Sequence, residues 1–136
     1  MPLTFYVNPN KTVDILAKQG ESWEFVITIT DSNGNPFDLT GYSVKAYIKS
    51  TYQDESPVAT FNCQIEDTLN GKIKLTLSPT VTSQIEAYPT SADGIRISNL
   101  KAGTQGVYVY DVKIYNDTKA IRVLEGKLVV DPQVSD

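Results

Sequence analysis

Asp31, Asn33, Asn35 and Asp38 stand in the spacing that opens a calcium loop, where carboxylate and amide oxygens at alternate positions surround a hard cation. The pattern then breaks. Pro36 occupies the place of the obligatory glycine, and Tyr42 the place of the bidentate glutamate. A plain turn accounts for the same residues, because Asp, Asn and Gly tolerate left-handed backbone and hydrogen-bond their own main chain. Cys63 is the one thiol. A nucleophilic thiolate needs a neighbouring base or positive field, and the sequence contains no histidine. That absence also removes Ser-His-Asp and Cys-His systems and most zinc sites. Cys63 alternates with Phe61 and Ile65, so it is expected as a small core residue. Glu66 with Asp67, Glu21 with Glu24, and Asp54 with Glu55 supply the carboxylates of glycoside hydrolysis. Nothing in the sequence sets one across a cleft from another, and solvated strand ends and loops explain them as well. No metal and no cofactor is expected.

The elements that would position these residues are strands. Trp23, Phe25, Ile27 and Ile29 share one face of an alternating run, with Val26 the exception on the other. Val44, Ala46 and Ile48 alternate with Lys45, Tyr47 and Lys49 in a second strand. A third is read over residues 58–66, with Ala59, Phe61, Cys63 and Ile65 inward, and a fourth over 72–77 with Ile73, Leu75 and Leu77 inward. Asn33-Gly34 and Asn70-Gly71 are turn signals. Ser78-Pro79 is a helix start, a capping hydroxyl followed by proline at the first helical position, and predicts one or two helical turns near 79–86. Residues 87–105 are read as a long loop, with a short strand possible only around 95–98.

The chain closes on a hairpin. Residues 106–115 and 120–130 are rich in β-branched and aromatic types and are separated by Asn116-Asp-Thr-Lys119. Tyr108 and Tyr110 lie on one face with Val112. They are either an aromatic binding stripe or part of the core, and period two favours the core.

At 136 residues, with 40% hydrophobic and 21% charged, one folded domain is expected. The strand count, about seven with one short helix, predicts an all-β, antiparallel, immunoglobulin-like β-sandwich over residues 17–136. Residues 1–16 are expected as an N-terminal arm or edge strand. The net charge is −4, and the twelve Lys and Arg form no basic stripe along the sequence, so no nucleic-acid partner is expected. No apolar run approaches a membrane span, and no secretion signal is read at the N-terminus. Without one, the glycosylation tripeptides Asn10-Lys-Thr12 and Asn116-Asp-Thr118 carry no consequence.

Three segments together carry a family resemblance. Gly20-Glu-Ser-Trp-Glu-Phe-Val-Ile-Thr-Ile-Thr-Asp-Ser-Asn-Gly-Asn-Pro-Phe-Asp-Leu-Thr-Gly41 with the strand that follows is the first. Gly71-Lys-Ile-Lys-Leu-Thr-Leu-Ser78 is the second, and the closing hairpin through Leu124-Glu-Gly-Lys-Leu-Val-Val130 is the third. In this order they resemble an immunoglobulin-like domain of tailed-phage virion proteins, similar to the N-terminal domain of siphophage baseplate upper proteins. The resemblance covers about residues 20–131. It implies a non-enzymatic structural protein of the virion, made in the host cytoplasm. It would be an adaptor or connector in tail, baseplate or neck, or a capsid decoration protein, acting through protein–protein assembly. Many relatives continue into a receptor-binding or fibre part, whereas this sequence stops at Asp136, so a fibre is not expected. The partners implied are other virion structural proteins and further copies of the chain. Leu3, Phe5 and Val7 in the arm, and Tyr88, Ile95, Ile97 and Leu100 around the long loop, are the expected interface residues. A second reading is a carbohydrate-binding or adhesion module, with Tyr47, Tyr52 and Tyr88 stacking on sugars.

Overall fold

The computed structural model of the chain describes residues 3–7, 11–31, 33–51, 56–89 and 100–132. Among them run β1 (Leu3–Val7), β2 (Lys11–Thr12), β3 (Ile15–Lys18), β4 (Trp23–Ile29), β5 (Ser43–Lys49), β6 (Ala59–Thr60), β7 (Asn62–Asp67), β8 (Lys72–Leu77), helix α1 (Pro79–Gln84), β9 (Val107–Tyr115) and β10 (Ala120–Asp131). They build two sheets. The first has the order β1-β4-β8-β7. The second has the order β2-β10-β9-β5-β6, with β3 also paired to β10. The expected all-β sandwich is therefore what forms, with ten strand segments among the described residues rather than about seven, because the N-terminal stretch read as one arm supplies β1, β2 and β3 and the strand read over 58–66 divides into β6 and β7.

Period-two burial explains the layers. Phe25, Ile27 and Ile29 of β4 and Ile73, Leu75 and Leu77 of β8 face Ala46 and Ile48 of β5, Tyr108, Tyr110, Val112 and Ile114 of β9, and Leu124, Leu128 and Val130 of β10 in one core. Removing each such side chain from water contributes about 1.5–3 kcal/mol. Tyr108 and Tyr110 are core residues, as their period suggested. Val26, the sequence exception, is also buried, on the opposite face of β4.

Most pairs are antiparallel, but β1 lies parallel to β4, and β2 and β3 lie parallel to β10. Parallel neighbours cannot be joined by a tight hairpin. The N-terminal segment meets this by running first along one sheet and then along the other before β4. Residues expected as an arm or edge strand thus contribute to both sheets.

The strand read over 58–66 is divided. β6 pairs with β5 in the second sheet, and β7 pairs with β8 in the first. Phe61 sits at the crossing. It is buried, its N–H donates to the Ala46 carbonyl at 3.0 Å, and its ring lies 5.3 Å from Trp23 and 6.1 Å from Tyr110. Strands that switch sheets form the corners of sandwiches. The helix is shorter than its expected span. Ser78 Oγ accepts from Val81 N at 3.2 Å, Pro79 follows the cap, and the helix stops at Gln84 because Ile85 turns extended and buries in the core. Buried Thr82 anchors the helix by donating its hydroxyl to the Glu21 carbonyl at 2.8 Å and accepting from Gly20 N at 3.1 Å.

Candidate interaction face

Because β5, β9 and β10 turn alternate residues into the core, the intervening residues share the outer face of the second sheet. The bulge between Arg122 and Leu124 shifts the phase of β10, so that Val123 and Leu124 both point inward while Arg122 and Glu125 point outward. Strand register then lays three rows across the sheet: Lys45–Lys113–Arg122, Tyr47–Asp111–Glu125 and Lys49–Val109–Lys127. Five of the chain's twelve Lys and Arg stand here against two of its sixteen Asp and Glu. The remainder of the chain holds seven cations and fourteen anions.

The middle of this face is a shallow depression of about 480 Å³ lined by Tyr47, Lys49, Asp111, Lys113, Arg122 and Glu125. Arg122 reaches Asp111 at 3.5 Å and Glu125 at 2.9 Å, so one guanidinium ties both acids of the face. Lys45 Nζ lies 4.8 Å from the centre of the Tyr115 ring, a cation–π contact worth about 0.5–1 kcal/mol at an exposed site. The lower part of the same face is apolar. Val107 and Val129 are buried under Tyr88 and Leu100, with Leu16 beside them. Tyr88 N donates to the Val130 carbonyl at 2.9 Å. The connection leaving α1 is stitched to the sheet at this point.

At one end of the sandwich the loops 30–42, 68–71 and 116–119 meet. Ile29 N donates to Gly71 O and Leu39 N to Thr68 O, each at 2.8 Å, and β5 begins opposite the end of β9. This end is acidic, with Asp31, Asp38, Glu66, Asp67 and Asp117 against Lys72 and Lys119. Asp31 accepts from Asn33 N and Asn35 N, both at 2.9 Å. Asp38 accepts from Thr40 Oγ1 at 2.6 Å and Thr40 N at 2.9 Å, and the hydroxyl holds its carboxyl below the ordinary value. Asp67 is lowered in the same direction, chiefly by the Asn70 side-chain amide.

These bonds also answer the calcium-loop pattern. Its carboxylates serve the turn, and among the described residues no three His, Cys, Asp or Glu side chains gather as metal ligands. Of the carboxylate pairs, Glu24 meets Lys74 at 3.0 Å, Glu21 and Glu66 are exposed, and Asp54 and Glu55 lie outside the described residues. Asn116 Oδ1 accepts from Thr118 N and Lys119 N, building the hairpin turn, while Asn10 is outside the described residues. Of the expected interface residues, Leu3, Phe5 and Val7 pair through their backbones with Phe25, Ile27 and Ile29. Tyr88 and Leu100 cover the apolar part of the second sheet, and Ile95 and Ile97 lie outside the described residues. Of the tyrosines offered for sugar stacking, Tyr47 lines the depression, Tyr88 packs four residues along β9 from Asp111, about 13 Å at the strand rise, and Tyr52 is outside the described residues. The charged rows are the surface that sequence reading missed. Lys45, Tyr47 and Lys49 were legible as a solvent face, but their alignment with Lys113 and Arg122 depends on register between distant strands.

Cys63 lies half-buried against the core, its thiol donating to the Phe61 carbonyl at 3.6 Å. Burial pushes the thiol up from 9.0 to about 11. At pH 8 the folded protein is therefore expected to react with iodoacetamide about a hundredfold more slowly than a free cysteine, with reactivity appearing as pH climbs towards that value. Mass-resolved alkylation kinetics check this; labelling at the free-thiol rate would contradict a thiol shielded by the core.

Residues 3–88 match the family model described as the BppU N-terminal domain. No curated protein matches the chain. The matched stretch runs from β1 past α1, and β9 and β10, the centre of the second sheet, lie beyond it.

Proposed function

The chain belongs to the BppU N-terminal domain family, and from that premise we propose that it is an adaptor joining neighbouring proteins of a tailed-phage baseplate. At the coarser level it is a structural protein associated with the phage baseplate, located in the virion. The family match carries the proposal. The architecture supports it: two packed sheets give a frame that displays tyrosine, arginine and lysine on a broad strand face. Tyr and Arg are enriched in protein–protein interfaces.

In this reading the protein works by surface complementarity and carries out no catalysis. It binds other virion proteins and further copies of itself, and neither nucleic acid nor membrane. Two regions are proposed as contacts besides the charged face. One is the β1 edge, bearing Leu3, Phe5 and Val7, where a neighbour's strand can add to the first sheet. The other is the connection bearing Tyr88, Ile95, Ile97 and Leu100.

Mass spectrometry of purified particles, followed by the same measurement on detached baseplates, tests the proposal. The expected result is the chain in fixed ratio to baseplate proteins in both samples. Absence from particles would overturn a virion role, and presence in capsids alone would overturn the baseplate placement.

A further inference from the structure

We propose that the cationic face of β5, β9 and β10 receives the acidic turn end of a second copy of this chain. The inference rests on the self-association included in the proposed function, and it names the two surfaces that meet. Its basis is the opposed charge of two surfaces, the strand face and the turn end that its Lys45–Lys113 row borders. The face carries Lys45, Lys49, Lys113, Arg122 and Lys127 against Asp111 and Glu125. The turn end carries Asp31, Asp38, Glu66, Asp67 and Asp117 against Lys72 and Lys119. The two sets are opposite in sign within a chain whose net charge is −4, and exposed Asp14 borders the face where it accepts from Lys127 N at 3.0 Å.

The detail of each region favours intermolecular use. Arg122 holds both acids of the face in a triad of net charge −1, and the four lysines around it leave the face positive. At the turn end, Asp31, Asp38 and Asp67 are fixed in position by hydrogen bonds within their own loops while remaining at the surface. The carboxylates of the end are held by their loops, and on the face Arg122 and Lys45 are held by Asp111, Glu125 and the Tyr115 ring, so part of the side-chain ordering is already in place before binding. A sandwich end cannot fold back onto its own strand face, so the match is available only to another molecule. Because the two surfaces differ, the contact is heterologous: repeated, it closes into a ring or continues as a filament. Like the interfaces that use complementary potentials elsewhere, it is expected to be fast to form and sensitive to salt.

The test is sedimentation velocity on the full chain between roughly 0.02 M and 0.5 M NaCl. Wild-type protein is expected to self-associate at low salt and dissociate as salt rises. Lys45→Glu with Lys113→Glu reverses the face, and Glu66→Lys with Asp117→Lys reverses the end. Each pair alone should weaken self-association by at least about tenfold. An equimolar mixture of the two variants should restore association, because reversed face then meets reversed end. All four side chains are on the surface, and a far-UV circular dichroism melt confirms folding. Wild-type protein that stays monomeric throughout the salt range would overturn the proposal without variants. So would a mixture no more associated than its components. Neither result bears on particle mass spectrometry, so the contact and the baseplate role fail separately.

Discussion

Gly106→Ala is expected to lower the melting temperature by roughly 10 °C, corresponding to about 3 kcal/mol in a domain of this size. Gly106 holds φ at +79°, and a Cβ there would lie 2.0 Å from Tyr88 N, 2.3 Å from Tyr88 Cα and 2.4 Å from the Ala87 carbonyl carbon. All three are backbone atoms, so no rotamer change relieves the contact. Val130 explains the crowding. Its N–H donates to the Gly106 carbonyl at 3.0 Å, while its own carbonyl accepts from Tyr88 N at 2.9 Å. The connection from α1 is thus inserted against the start of β9. Moving it aside breaks the Tyr88 bond, at about 1–3 kcal/mol for a buried group left unpaired, and lifts Tyr88 from Val107 and Val129. The left-handed backbone adds about 1–2 kcal/mol for any residue with a Cβ. Gly34→Ala is the control. Gly34 has φ +83° but nothing within 4 Å of its would-be Cβ, so only the backbone cost applies. Thermal melts of the two variants that coincide within about 2 °C would show that the crossing at Tyr88 yields freely.

That crossing is also where sequence reading stops short. The alternation of Trp23, Phe25, Ile27 and Ile29, the Ser78-Pro79 cap and the Asp31 turn are local patterns, and each produces the element it signals. The closing hairpin forms with Tyr110 and Tyr108 inward. What was hidden is non-local. Ala59, Phe61, Cys63 and Ile65 keep one period whether they stay in one sheet or pass between two, so nothing in the pattern marks Phe61 as the crossing. Val123 and Leu124 are adjacent apolar residues that fit either phase of β10. The bulge decides the phase, and with it whether Arg122 joins the row of Lys45 and Lys113. A one-residue slip of β10 would move Arg122 to the other face and leave Lys45 and Lys113 behind, so the row exists only once register is fixed. Tyr88 and Leu100 are expected as contact residues because they belong to the long loop of residues 87–105. They also cover Val107 and Val129, which no local signal pairs with them.

Tyr110 brings the two kinds of information together, and its replacement should separate them. Tyr110→Ala is expected to cost about 4 kcal/mol, in the range for emptying a large buried aromatic site, and Tyr110→Phe about 1–2 kcal/mol. The ring is only 1% exposed and is among the largest buried side chains. It meets Phe61 edge-on at 6.1 Å, Phe61 lies 5.3 Å from Trp23, and Trp23 stacks on Phe25 at 4.9 Å. This file of rings runs from the second sheet through the crossing strand to the first, so the cavity left by alanine loosens both sheets at once. The hydroxyl has a different task. It donates to the Val13 carbonyl at 2.5 Å, and Val13 N donates to Glu125 O at 2.9 Å, which holds the link between β2 and β3 against β10. Phenylalanine keeps the file and leaves that carbonyl unpaired. Its effect should therefore concentrate in residues 11–18, as faster amide exchange there with nearly unchanged exchange in β4 and β8, whereas alanine should raise exchange throughout. Equal urea midpoints for the two variants would show that the ring file bears little of the load. Unchanged exchange of residues 11–18 in Tyr110→Phe would show that the N-terminal strands are held by their pairing with β10 alone.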